Sequence, residues 1–147
     1  MALITWTEDQ FGTQISEIDD QHQQIFQLLD TLHETLAKGE PNEIGKQLDA
    51  FVDLVVQHFQ TEERLMRDND YPDRAAHKAE HDELLKMCAE LLIGFHEQDE
   101  KLSQASTLFI KEWFMEHVPK LDKAYGSYVN RVPPASPEST ATSESKK

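Results

Sequence analysis

Apolar residues in the first third of this chain recur with the period of a helix. From about Ile18 to Ala37 they fall at Ile18, Ile25, Phe26, Leu28, Leu29, Leu32 and Leu36, a broad stripe along one side of a helical surface. Ser16 or Asp19 is suited to cap its start, since short oxygen-bearing side chains satisfy free N–H groups of a first turn. A second segment, from about Pro41 to Arg67, opens on a proline that fits a first helical position and carries Leu48, Phe51, Val52, Leu54, Val55, Phe59 and Leu65. A third helix is predicted from about Asp73 to Phe95 and a fourth from about Leu102 to Val129. Gly39-Glu40-Pro41, the run Asp68 to Pro72 and the polar stretch 97–101 separate them as loops. Short loops between long helices pack neighbours antiparallel. The expected fold is therefore all-α: an antiparallel, up-down-up-down four-helix bundle over residues 18–131.

Both ends break the pattern. In residues 1–17, Ile4, Trp6 and Phe11 are spaced without a helical period, which predicts an extended N-terminal arm laid on the bundle. In residues 132–147, Pro133, Pro134 and Pro137 sit among Ser, Thr, Ala and Glu, a composition unable to bury enough apolar surface, so a disordered C-terminal tail is expected.

Composition narrows the setting. The 147 residues fit one domain with a core of its own. Cys88 is the only cysteine, which excludes an intramolecular disulfide and a cysteine-rich metal site and suits a reducing cytoplasm. No apolar run approaches the roughly 18–20 residues that span a bilayer, and the opening Met-Ala-Leu-Ile-Thr-Trp lacks a basic, then apolar, leader pattern. A soluble cytoplasmic protein without membrane insertion is expected. Twenty-eight acidic residues face 14 basic ones, a net charge of -14, which argues against nucleic acid as a partner. Residues 131–147 carry +1, so residues 1–130 carry -15. Solvated helix faces account for this more simply than a docking surface for a basic partner.

The chemistry lies in seven side chains: His22, His58, Glu62, His77, His81, His117 and Asp122. His58 with Glu62, and His77 with His81, are four apart and so share a helix face. Height matches as well. Thirty-six positions separate His22 from His58, and again His81 from His117. Each hairpin therefore returns to its starting level, and the cluster sits roughly two turns inside the end that holds the central loop. His117 and Asp122 are five apart, about 140° on a regular helix. Pro119 between them lacks an N–H and crowds the preceding turn, which predicts a kink or one wide turn that swings Asp122 inward.

Any one of these histidines could be an ordinary core or boundary residue. Seven titratable side chains converging on an interior are different, because unpaired buried charge is strongly unfavourable. A bound metal pair removes that objection. His33 and His96 fall far from the common level and are assigned to the surface. Imidazoles with hard carboxylates suit iron, manganese, zinc or cobalt, and seven side chains are too many for one ion. Two octahedral ions sharing both carboxylates and one solvent-derived bridge would use all but one of their positions, leaving one place for a small ligand.

The order His22, His58-x-x-x-Glu62, His77-x-x-x-His81, His117-x-x-x-x-Asp122 resembles that of the single-domain bacterial hemerythrins. Trp6, Phe11-Gly12 and Asp20-Gln21-His22 resemble the opening segment of the family, and the resemblance covers about residues 3–130. It implies a cofactor of two non-heme iron ions with an oxo or hydroxo bridge, binding dioxygen reversibly. His77, His81 and His117 would hold the six-coordinate iron, His22 and His58 the five-coordinate iron that takes up dioxygen, and Glu62 and Asp122 would bridge them. Ile25, Phe59, Trp113 and Phe114 would line the oxygen pocket, with Tyr125 as an outer donor.

These implications favour a carrier over an enzyme. Ferritin-like oxidases use more carboxylates than histidines, whereas this set is rich in histidine with a single open position. Storage of dioxygen, or its delivery to an oxygen-consuming protein, is the expected function, in a monomer. The alternatives are enzyme-like handling of nitric oxide or peroxide, and oxygen sensing through a separate partner.

Overall fold

The computed structural model describes residues 3–98 and 101–131. The tail expected at 132–147 lies outside the described residues. Among the described residues six helices follow in order: α1 (Glu8–Phe11), α2 (Ser16–Lys38), α3 (Pro41–Asp68), α4 (Arg74–Glu97), α5 (Gln104–His117) and α6 (Lys123–Arg131), with a π-helical turn at Val118–Asp122 joining the last two. Helices α2, α3, α4 and the continuous α5–π–α6 rod form the expected antiparallel four-helix bundle. None of the described helices is long and apolar enough to cross a membrane.

The helix ends follow from local chemistry. α2 stops at Gly39, whose φ of 73° is a left-handed conformation that costs glycine little, and whose N–H bonds the Thr35 carbonyl at 3.1 Å. Pro41 then starts α3 without losing a hydrogen bond. Neither Ser16 nor Asp19 caps α2; Ile15 occupies the cap position without a side-chain bond. Asp19 has a different task. Its Oδ1 accepts from the Thr13 N–H at 2.9 Å and the Thr13 hydroxyl at 2.8 Å, tying the preceding chain to the helix.

That preceding chain is an arm, but it is not wholly extended. One helical turn, Glu8–Phe11, is capped by Thr7 and turns Phe11 into the core edge-on to Phe26, with ring centres 5.1 Å apart. Ile4 is buried with it. At the far side, α6 passes so close to the arm that a Cβ on Gly126 would overlap the Thr13 carbonyl. Gly126→Ala should therefore destabilise the protein by about 1–3 kcal/mol, the usual range for overpacking against a backbone that cannot yield. Urea unfolding with an unchanged midpoint would refute the close approach.

Apolar side chains form two clusters. The larger gathers Ile25, Phe26, Leu29, Leu32, Leu48, Phe51, Val55, Phe59, Leu84, Ile110 and Phe114; the smaller, near the central loop, holds Ile18, Met66, Tyr71 and Tyr125. Along α2 the two clusters flank His22, along α3 they flank Glu62, and along the fourth rod they flank Asp122. A polar layer thus interrupts an otherwise dry bundle.

Candidate metal centre

All seven side chains named from the sequence meet in that layer, and none exposes more than 2% of its surface. The wide turn expected at Pro119 is the π-helical segment, in which the Lys123 N–H reaches back five residues to the Val118 carbonyl. This brings residues five apart onto one face. Asp122 Oδ1 consequently lies 3.1 Å from His117 Nε2.

The two carboxylates divide their oxygens between two groups of histidines. Glu62 Oε2 lies 3.2 Å from His58 Nε2 and 3.7 Å from His22 Nε2, while Glu62 Oε1 lies 3.0 Å from His81 Nε2 and 3.6 Å from His77 Nε2. Asp122 repeats the division, with Oδ2 at 3.0 Å from His22 and Oδ1 at 2.8 Å from His77. Two sets result. His77, His81 and His117 share one oxygen of each carboxylate, and His22 and His58 share the other. Within each set the potential ligand atoms lie within 4.8 Å of one another.

These inward atoms fit a pair of cations. The five Nε2 atoms and the four carboxylate oxygens are buried within ion-pair distance, yet none forms an aligned hydrogen bond. Such groups are strongly unfavourable in a dry interior unless something satisfies them. Imidazole nitrogens with carboxylate oxygens suit first-row divalent ions.

Electrostatics point the same way. Burial opposes the carboxylate charge of Asp122 and of Glu62, but the surrounding imidazoles outweigh it and hold both acids well below the usual range. Burial likewise opposes a charged His22, and the neighbouring Asp122 and Glu62 overcome it, pushing His22 up to about 9 and His77 up to about 10. His81 rises for similar reasons, whereas at His58 burial prevails and the value falls. A metal-free centre thus holds protons where a metal needs lone pairs. Loading at neutral pH should release protons from His22 and His77. A pH indicator in weak buffer measures this, and metal uptake with no acidification would contradict it.

Outside the ring, three Nδ1 atoms have partners that sequence reasoning did not identify. His58 Nδ1 faces Gln21 Oε1 at 2.6 Å, His81 Nδ1 faces Glu63 Oε2 at 3.0 Å and His117 Nδ1 faces Glu80 Oε1 at 3.0 Å. The only signal available was adjacency, since each flanks a ligand in the chain. The phenol of Tyr125, expected as an outer donor, makes no hydrogen bond; its ring stands edge-on to His77 at 6.0 Å.

The apolar neighbours sort by side. Phe59 lies flat on His81 at 3.8 Å and also leans against His58 at 5.8 Å. Trp113 stacks on His117 at 4.2 Å, over the three-histidine set. Phe26, which the sequence reading placed only in the core, stacks on His22 at 6.2 Å; Phe114 packs behind it at 6.0 Å, and Ile25 is fully buried. His96 is exposed and pairs with Asp49. His33 is half-buried rather than on the surface: its Nδ1 lies 2.6 Å from the Thr107 hydroxyl, which donates to the Gln104 carbonyl, so His33 is the donor.

Comparison with known proteins agrees with this geometry. The family model described as the hemerythrin HHE cation binding domain matches residues 13–129. A bacteriohemerythrin of Methylococcus capsulatus is 50% identical over 126 residues, 86% of this chain and 96% of that protein. One from Stenotrophomonas maltophilia is 33% identical over 129 residues, 88% of this chain and 83% of its own length. A crystal structure of wild-type hemerythrin superposes with a TM-score of 0.85 at 48% identity, covering 87% of this chain and 98% of that one.

Proposed function

The chain belongs to the hemerythrin family, and we propose that it binds dioxygen reversibly at a non-heme di-iron centre, for storage or for delivery to oxygen-consuming proteins. The observation that carries this reading is the unequal division of ligands: five residues converge on one position and four on the other, with both carboxylates common to the two. His77, His81 and His117 would hold one iron, His22 and His58 the other, and Glu62 and Asp122 would join them. Held there, two ferrous ions would supply the electrons that dioxygen accepts on binding and returns on release.

The protein's own residues decide the rest. Having one histidine fewer, the His22–His58 side is where a small molecule has room. Ligand burial keeps larger substrates away, which favours a diatomic cargo over the oxidation of an organic one. Phe26 against His22 and Phe59 beside His58, with Phe114 behind Phe26 and Ile25 buried one turn after His22, would form a dry wall on that side, excluding water that would protonate and release a reduced product. Both features favour a carrier over an enzyme.

The test is a cycle. Iron-loaded, reduced protein exposed to air should colour, and should return to the colourless state when the gas is removed, repeatedly. Irreversible oxidation on first contact would refute the carrier reading.

A further inference from the structure

We propose that Glu63 and Glu80 make the His77–His81–His117 position the first of the two to give up an electron, while Gln21 leaves the His22–His58 position harder to oxidise. This inference rests on the di-iron reading and concerns the hydrogen bonds just outside it.

All five Nε2 atoms face the centre, so the proton of each metal-bound imidazole must sit on its outer Nδ1. For His81 and His117 that proton points at a carboxylate oxygen 3.0 Å away, from Glu63 and Glu80. For His58 it points at the Gln21 amide oxygen at 2.6 Å. The direction of that amide is set by its surroundings. Gln21 Nε2 lies 3.5 Å from Thr61 Oγ1, whose own proton goes to the Gln57 carbonyl, so Thr61 can only accept and Gln21 must turn its oxygen to His58.

The difference is one of charge. A carboxylate acceptor draws the Nδ1 proton and leaves the imidazole a stronger donor to its metal, stabilising the more highly charged ion. An amide carries no net charge and does so less. Two carboxylates support the three-histidine position and one amide the other, which adds to the inequality in ligand number. Glu63 exposes 26% of its side chain and Glu80 47%, so water screens Glu80 more and Glu63 should have the larger effect. When the protein is half-oxidised, one electron has passed to the external mediator, and it has left from the three-histidine side.

An anaerobic redox titration of iron-loaded protein, followed by Mössbauer spectra, tests this with the isosteric variants Glu63→Gln, Glu80→Gln and Gln21→Glu. Glu63→Gln should raise the first potential by about tenfold in the oxidised-to-reduced ratio, the low end for loss of an outer partner, which is about 59 mV for one electron. Glu80→Gln should shift it the same way by less. Gln21→Glu should lower the second potential and change the ferrous component of the half-oxidised spectrum. A first potential unmoved in both glutamine variants, or moved chiefly by Gln21→Glu, would overturn the proposal. Should one variant fail to hold metal, the other two make the same comparison. Dioxygen takes no part, so two irons in the wild-type protein together with unmoved potentials in the variants refute this inference alone, whereas wild-type protein without two irons refutes the di-iron reading with it.

Discussion

Alanine at His22 or at His58 is expected to abolish reversible oxygenation, from a full optical change in wild type to none. The two-histidine set offers four ligands, two of them carboxylates shared with the other position. Either substitution leaves a single imidazole there, while the three-histidine set keeps all five of its ligands. The surviving structure should hold one metal firmly and a second weakly, without a position that can exchange electrons with dioxygen. His33→Ala is the control. His33 is a histidine of the same helix as His22, but it bonds Thr107 rather than the centre, so its loss should leave oxygenation unchanged. Optical titration of the iron-loaded variants decides the matter. Oxygen uptake retained in both the His22 and His58 variants would mean that the two sides have the opposite roles.

Removing the metals should produce the largest change in stability. Nine inward-facing nitrogen and oxygen atoms lack aligned hydrogen bonds, and a metal pair would satisfy them. Each site occupied at 100 times its dissociation constant adds about 2.7 kcal/mol, so losing two removes about 5 kcal/mol. For a domain of this size that lowers the unfolding midpoint by about 10–20 °C. The pH dependence should differ too. In the metal-free protein, His22 and His77 lie above the ordinary 6.5, so their contribution is complete below that pH and is lost as pH rises through about 9 and about 10. Glu62 and Asp122 lie below their ordinary 4.5 and 3.8, so their contribution is present above those values and lost on acidification. His58, lowered by burial, acts in the opposite sense to the other histidines. Metal-free protein should therefore be most stable between about pH 5 and 6.5 and weaken toward pH 10. Loaded protein, whose imidazoles carry no inward proton, should not show that alkaline decline. Thermal unfolding with and without a strong chelator measures both effects, and coincident curves would contradict them.

Much of this layer was legible in the chain because its determinants are periodic. Equal spacings from His22 to His58 and from His81 to His117 report helix heights directly, and an i, i+4 pair reports a shared face whatever the partner helix does. Even the irregular pair was readable, since Pro119 gives a chemical reason for a wide turn between His117 and Asp122. What escaped has no period. Gln21, Glu63 and Glu80 support the ligands across helices, and in a chain with 28 acidic residues a glutamate beside a histidine carries little signal. Whether such a residue turns toward the imidazole or toward water depends on helix rotation, which a residue pattern does not resolve to a few ångströms. The single turn of α1 is shorter than any periodic test can detect. Asp19 resembles a capping residue in sequence, and only the path of the arm reveals that it binds Thr13 instead. His33 misled for a related reason, because its partner lies 74 positions away.

Above all, Glu62 and Asp122 are expected to join two iron ions rather than complete the site of one metal. Metal analysis of the protein as purified from cells grown with iron, with an optical spectrum recorded under oxygen and under vacuum, tests it most directly. Two irons per chain and a colour that appears and disappears with the gas are the predicted result; one metal per chain, or zinc, would contradict it.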